Sequence, residues 1–212
     1  MKDKVEITEL IQNFDFEFDN NADWWNVHIN TMYNEANEVK IAFKIFQTVE
    51  KEWEVRAEEK IVTYSAIRTI LYESLPYRII MGLSKILVGK DEGALQRAIN
   101  VISQLKEFNT DVNVKSVIKK IQYYLDNSKL TSIVATYRDK FFAHLDKEVV
   151  HSDCRIDVTV AMKDISESAI SEVVQLIEEL YEACFKAKLS YTERDLSEED
   201  IIYTFFWMGD EG

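Results

Sequence analysis

The chain of 212 residues has few of the residues that interrupt helices or bind metals. It contains one proline, five glycines, two cysteines and three histidines. So few helix-breaking residues favour long helices. Two cysteines do not make the disulfide framework of a small secreted domain. A reducing cytoplasm is therefore the simplest setting for Cys154 and Cys184.

Long apolar runs and the common cofactor motifs are also absent from the sequence. No apolar run reaches about 18 residues, so no membrane span is expected. Charges throughout Met1 to Phe14 argue against a signal peptide. Without a P-loop, a dinucleotide fingerprint or a nucleophile elbow, chemistry on ATP, NAD or acyl groups has no support. The spacing of His144, Asp146, His151, Asp153 and Cys154 fits no zinc pattern, so we expect neither metal nor cofactor.

The composition, with 47% hydrophobic and 30% charged residues, is typical of a folded, helix-rich protein. Apolar residues recur at steps of three and four between residues 23 and 59: Trp25, Ile29, Met32, Ala36, Val39, Phe43, Phe46 and Val49. Further helices are predicted over residues 61–88 (kinked at Pro76 and capped by Gly89), 93–109, 114–125, from Ser128, 164–189 (opened by a capping box at Asp164 to Glu167) and from Ser197.

These patterns predict an all-α protein, a bundle of five or six main helices. Residues 154–160 alternate polar and apolar, so an extended segment or a single edge strand is expected there. We predict an N-terminal arm over residues 1–20 and a helical domain over 21–190. Residues 191–212 would form an apolar helix that packs on the bundle or on a second subunit.

Acidic residues exceed basic ones, giving a formal net charge of −13. This balance argues against non-specific coating of nucleic acid, which depends on basic surface that releases counterions. The excess is uneven: residues 112–147 contain seven basic and three acidic residues, whereas residues 148–212 contain five and sixteen. The net-positive segment would attract a phosphate backbone locally. A solvated lysine face is the alternative explanation for Lys115 to Lys120.

The net-positive segment ends in Tyr137-Arg138-Asp139-Lys140-Phe141-Phe142-Ala143-His144-Leu145-Asp146, the last part of the helix opened by Ser128. On a helical wheel Arg138 and His144 lie on the two edges of one apolar face, about 120° apart. A permanent cation beside a titratable imidazole suits phosphodiester chemistry, where one group stabilises the phosphate and the other moves protons. A salt-bridged surface arginine and a helix-capping histidine are the structural alternative.

Arg138-Asp139, followed by Phe142-Ala143-His144 and Asp146, resembles the signature of HEPN domains. In that signature an arginine and a polar residue precede a histidine, and five residues separate Arg138 from His144 here. The run Ala143 to Asp146 is most similar to the abortive-infection branch, found in prokaryotic phage-defence and toxin proteins. The similarity covers roughly residues 20 to 190.

The resemblance implies an α-helical bundle that dimerises, so that two copies of the motif share one cleft, and many such proteins are metal-independent RNases. It implies His144 as general acid or base and Arg138 as the group that stabilises the transition state. Asp139 would orient the motif or bind a second subunit. The expected RNA contacts are Lys129, Tyr137, Lys140 and Lys147. The expected partners are RNA, a second copy of the chain and an antitoxin protein.

Two points stay open at this level. In HEPN RNases a polar residue from an earlier helix often lines the site, and either Glu73 or Arg78 would serve. The same bundle would also suit a non-catalytic module that binds RNA, a nucleotide or an antitoxin through Arg138 and His144. The acidic surface supports this second function.

Overall fold

The computed structural model describes residues 21–58, 74–89, 94–147, 162–191 and 197–207, with only the backbone described for 57–58, 140–147 and 206–207. Its helices are α1 (Ala22–Glu58), α2 (Leu75–Leu87), α3 (Leu95–Ile102), α4 (Val112–Asn127), α5 (Lys129–Lys147), α6 (Glu167–Phe185) and α7 (Glu198–Ile202), followed by a π-helical segment (Tyr203–Trp207). No strand occurs in these ranges, which confirms the all-α prediction for them. The predicted arm over 1–20 and the extended segment at 154–160 lie outside them.

Helix α1 is the centre of the bundle and packs against α2 on one side and α6 on the other. Helix α5 packs on α2, α4 packs on α6, and contacts between α4 and α5 close the ring. All the predicted apolar positions of α1 are buried: Trp25, Ile29, Met32, Ala36, Val39, Phe43, Phe46 and Val49. Burying a side chain as large as Phe43 stabilises the fold by about 1.5–3 kcal/mol. The uninterrupted stripe therefore specifies a central helix of 37 residues.

The contact between α1 and α2 depends on a glycine and on ion pairs. A Cβ atom at Gly82 would overlap the Val39 side chain, so only glycine lets the two backbones approach this closely. Beside it, Arg78 pairs with both Glu35 and Glu38 of α1. Hydrogen bonding and attraction from Arg78 lower the pKa of Glu35, against the opposing effect of burial. Burial and charge pairing thus fix the register of α2 on α1.

Pro76 lies at the beginning of the described part of the second predicted helix. Helix α2 begins at Leu75, with Pro76 buried in its first turn. In that position the missing N–H of proline leaves no hydrogen bond unmade. Residues 61–73, which we predicted to precede the kink, lie outside the described ranges. At the other end the helix stops as predicted, and the Gly89 N–H donates to the Ser84 carbonyl at 2.8 Å.

The predicted third helix over residues 93–109 is too long. Helix α3 ends at Ile102, and the chain continues in turns to residue 110. Leu105 and Phe108 are nevertheless buried. Apolar residues at helical spacing therefore indicate burial at these positions, but not a helix. The Leu105 N–H donates to the carbonyls of Val101 at 3.2 Å and Ile102 at 3.3 Å, which closes one of these turns.

Side-chain caps define the beginnings of α4 and α5. Asp111 accepts from the N–H groups of Asn113 (2.8 Å) and Val114 (3.2 Å). The Ser128 hydroxyl accepts from the Leu130 N–H at 3.1 Å. The predicted break after Asn127 and the start of the motif helix at Ser128 are therefore confirmed.

Helix α6 begins two residues later than the predicted capping box implied. Ser166, and not Asp164, caps it by accepting from the Ala169 N–H at 3.2 Å. The helix ends at Phe185, where Lys186 adopts the left-handed conformation with φ 55°, earlier than the predicted end near residue 189. Asp164 instead pairs with Lys129.

The terminal helix begins at Ser197, as predicted, through a complete capping box with Asp200. Ile201 is buried, and α7 contacts α1 of the same chain. Tyr203 is 61% exposed. None of the described helices is both long and apolar enough to cross a membrane.

Candidate functional site

Helix α5 carries the motif, and it is continuous from Lys129 to Lys147. Leu130 and Val134 are buried and hold it against the bundle. Because the helix is unbroken, the Cα atoms of Arg138 and His144 are about 9 Å apart along its axis and about 120° apart around it. The predicted roles of Lys140, His144 and Lys147 concern side chains outside the described part of the structure.

The Arg138 side chain is held by two acceptors. Its Nε and Nη2 atoms donate to Oδ1 of Asp139 at 2.9 and 2.7 Å, and its Nη1 atom donates to the Val88 carbonyl at 3.4 Å. Val88 is the C-terminal cap of α2. The carbonyl end of a helix carries a partial negative charge, which favours a cation there. The end of α2 and the neighbouring carboxylate thus fix one position of the guanidinium.

Arg138 keeps hydrogen-bonding capacity in this position. A guanidinium has five N–H donors, and three are used. One N–H on Nη1 and one on Nη2 remain without a partner among the described residues. The side chain is 27% exposed, so an anion in solvent can reach it. The N–H groups of a guanidinium suit the oxygens of a phosphate.

Asp139 orients Arg138 within the same chain. We expected this residue to orient the motif or to bind a second subunit, and its bond to Arg138 favours the first role. The Asp139 side chain is 69% exposed, so the ion pair stabilises the fold by no more than about 1 kcal/mol. Its effect is on the geometry and the local charge of the site, not on the stability of the bundle.

Two of the four predicted RNA contacts have described side chains. Tyr137 is half-buried and packs against the core. Lys129 is exposed at the first turn of α5, 3.3 Å from Asp164, and is about 14 Å from Arg138 along the helix axis. The structure therefore places Tyr137 beside Arg138 in the chain and Lys129 at the opposite end of the helix.

Arg78 does not contact Arg138. Its guanidinium faces α1, where Glu35 and Glu38 raise its pKa further by hydrogen bonding. About 15 Å of helix separate it from Val88, the α2 residue that Arg138 contacts. Glu73 lies outside the described residues. The sequence missed Val88, because a main-chain carbonyl carries no side-chain signal.

Other reactive side chains in the described ranges have structural surroundings. His28 stacks on Trp24 with 3.6 Å between ring centroids. Burial raises the pKa of the Cys184 thiol to about 12, which leaves it protonated and unreactive at neutral pH. Among the described residues, no group of three or more His, Cys, Asp or Glu side chains is arranged to hold a metal ion.

No protein-family model matches the chain, and neither curated proteins nor solved structures give a significant match. The function is therefore argued from the residues themselves.

Proposed function

We propose that the protein is a metal-independent endoribonuclease of HEPN type, acting in phage defence or as a toxin. The observation that carries this proposal is the Arg138 guanidinium, which is anchored by Asp139 and Val88 and keeps two N–H groups for an anion. It lies in the net-positive segment of an otherwise acidic chain. Because this cation is already oriented, little reorganisation free energy is needed when negative charge develops on a phosphate.

In the proposed reaction His144 removes the proton from a ribose 2′-hydroxyl, and the resulting oxygen attacks the adjacent phosphorus atom. The bond from phosphorus to the 5′-oxygen of the next nucleotide breaks, and that oxygen takes up a proton. The products are a 2′,3′-cyclic phosphate and a 5′-hydroxyl. Arg138 stabilises the negative charge on the pentacoordinate phosphate.

The spacing of the motif supports a site shared by two copies of the chain. A rotation of about 120° separates Arg138 from His144 on the continuous helix, so the two positions lie on different edges of α5. Two such helices that face each other would bring one arginine and one histidine to the same cleft. The homodimer is thus part of the proposed mechanism.

Cleavage of labelled RNA in EDTA tests the proposal. We expect wild type to cleave, and Arg138→Ala and His144→Ala to lose about 100-fold or more of the rate. Lys106→Ala is the control, because Lys106 is exposed and lies outside α5. Equal activity in Arg138→Ala and wild type would overturn the proposed site. If wild type arrests cell growth and His144→Ala does not, the toxin role is supported.

One observation favours a second function, a non-catalytic module that binds RNA, a nucleotide or an antitoxin. The Asp139 carboxylate already neutralises Arg138 in the free chain. An arginine balanced in this way suits an interface that exchanges one acidic partner for another. RNA binding that Arg138→Ala abolishes, without cleavage by any variant, would support this module.

A further inference from the structure

A cleft between α1 and α6, here called the α1–α6 cleft, lies apart from the Arg138 motif. Its volume is about 310 Å³, and its lining includes Tyr33 and Lys40 of α1, Ser171, Gln175 and Glu178 of α6, and Tyr191. This volume is at the lower end of the range for small-molecule sites, about 300–1,000 Å³. The cleft therefore suits a small metabolite and not a macromolecule.

Several polar groups of the cleft are already hydrogen-bonded within the protein. The Tyr33 hydroxyl donates to Glu178 at 2.9 Å, and its ring packs edge-on against Tyr191. The Gln175 amide nitrogen donates to Glu179 at 2.9 Å, which leaves the Gln175 carbonyl oxygen as an acceptor. These bonds fix the walls of the cleft before any ligand arrives, and preorganised walls lower the entropy cost of binding.

Lys40 differs from the other side chains of the cleft. It is half-buried, yet it makes no ion pair or hydrogen bond in the described part of the chain. Four other lysines lie 2.7 to 3.8 Å from a carboxylate: Lys85, Lys120, Lys129 and Lys186. Glu178, the carboxylate that lines the same cleft, accepts from Tyr33 and makes no ion pair with Lys40. An anion in the cleft would give Lys40 a partner.

The opposite side of the cleft has the opposite polarity. Glu178 accepts from Tyr33 through one oxygen and can accept further hydrogen bonds. The Gln175 carbonyl is a second acceptor on the same helix, and the Ser171 hydroxyl can donate or accept. The lining thus combines a cationic end at Lys40 with an acceptor-rich wall on α6. A ligand that satisfies both has an anionic group at one end and hydroxyl groups at the other.

We propose that the α1–α6 cleft binds a small organic phosphate whose phosphate pairs with Lys40 and whose hydroxyl groups donate to the wall of α6. A lysine ammonium binds phosphate groups as a compact point charge. This site is independent of the proposed RNase function.

Titration calorimetry on the full chain, without RNA, tests the proposal with ribose 5-phosphate, inorganic phosphate and ribose as probes. We expect saturable binding of ribose 5-phosphate, weaker binding of inorganic phosphate and none of ribose. Lys40→Gln should weaken ribose 5-phosphate binding at least about tenfold, because a charge-assisted contact is lost. Lys40→Arg should keep the affinity within about threefold, since the charge remains.

Lys51→Gln is the matched control, because Lys51 is exposed on the same helix outside the cleft. It should change the affinity by less than about twofold, since a distant surface charge is screened. Circular dichroism shows whether each variant is folded. The proposal is overturned if Lys51→Gln weakens binding as much as Lys40→Gln, or if ribose or inorganic phosphate binds as tightly as ribose 5-phosphate. Absence of saturable binding below about 10 mM overturns it as well.

Discussion

Arg138 and Asp139 are neighbours in the sequence whose side chains form an ion pair on the surface of α5, with 2.7 Å between Nη2 and Oδ1. Neighbouring residues on a helix do not normally face each other. The pair forms because the long arginine side chain turns along the helix toward the end of α2, where Nη1 meets the Val88 carbonyl. The Asp139 carboxylate thus sets the direction of the Arg138 side chain.

Substitution of Asp139 separates its orienting effect from its charge. Asp139→Asn keeps an oxygen that accepts the arginine N–H groups, whereas Asp139→Ala removes it. We expect kcat/KM for RNA cleavage to fall about tenfold in Asp139→Ala and less than about threefold in Asp139→Asn. The free energy of unfolding should change by less than about 1 kcal/mol in both, because the pair is largely exposed. Equal losses in the two variants would show that charge and not geometry matters.

The cap of α5 is expected to stabilise the whole motif helix. Ser128→Ala removes the acceptor for the Leu130 N–H and should lower the free energy of unfolding by about 1 kcal/mol. Ser132→Ala is the matched control, because Ser132 is exposed one turn inside the same helix. There alanine is the better helix former, so a small increase in stability is expected. Chemical denaturation of both variants measures the difference, and a loss at Ser132 as large as that at Ser128 would contradict the cap.

Gly82→Ala tests the close contact of α1 and α2. The added methyl group would overlap Val39 and should destabilise the protein by about 1–3 kcal/mol, although alanine normally favours a helix. Ser116→Ala, on the exposed face of α4, should change the stability by less than about 0.5 kcal/mol. Denaturant titration gives both values. A Gly82→Ala protein that is more stable than wild type would show that α2 approaches α1 less closely.

Stability should fall in acid partly because of Glu35. Its pKa in the folded chain is lowered, chiefly by the hydrogen bond from Arg78, so its contribution is complete above the unfolded value and is lost as the pH falls through the folded value. Glu35→Gln removes this titration. We therefore expect the free energy of unfolding to depend less on pH below about pH 4.5 in Glu35→Gln than in wild type. Parallel pH profiles for the two proteins would contradict the assignment.

Much of the fold follows from residue spacing alone. The buried stripe of α1, the break at Ser128 and the start of the terminal helix at Ser197 were predicted because each depends on residues within a few positions of one another. The predicted end of α3 was wrong because buried apolar residues at helical spacing also occur in turns, as at Leu105 and Phe108. The predicted kink at Pro76 depends on residues 61–73, which lie outside the described ranges.

The candidate site was predicted less completely than the fold. The sequence indicated Arg138 and Asp139 as motif residues, but not that they bind each other or that Val88 is their third partner. Such contacts depend on how α2 packs on α5, which periodicity does not report. The sequence likewise could not indicate that Lys40 makes no ion pair, because that depends on how α1 and α6 pack around the cleft.

In the proposed function the motif cleaves RNA by attack of the ribose 2′-hydroxyl on the adjacent phosphate. The most direct measurement compares cleavage of an RNA with cleavage of the same sequence carrying 2′-O-methyl groups. Both reactions contain EDTA, and the ends of the products are analysed. The account predicts cleavage of the RNA alone, with 2′,3′-cyclic phosphate ends that are absent when Arg138→Ala or His144→Ala is used. Cleavage of the methylated strand, or no cleavage of varied RNAs by the wild-type protein, would contradict it.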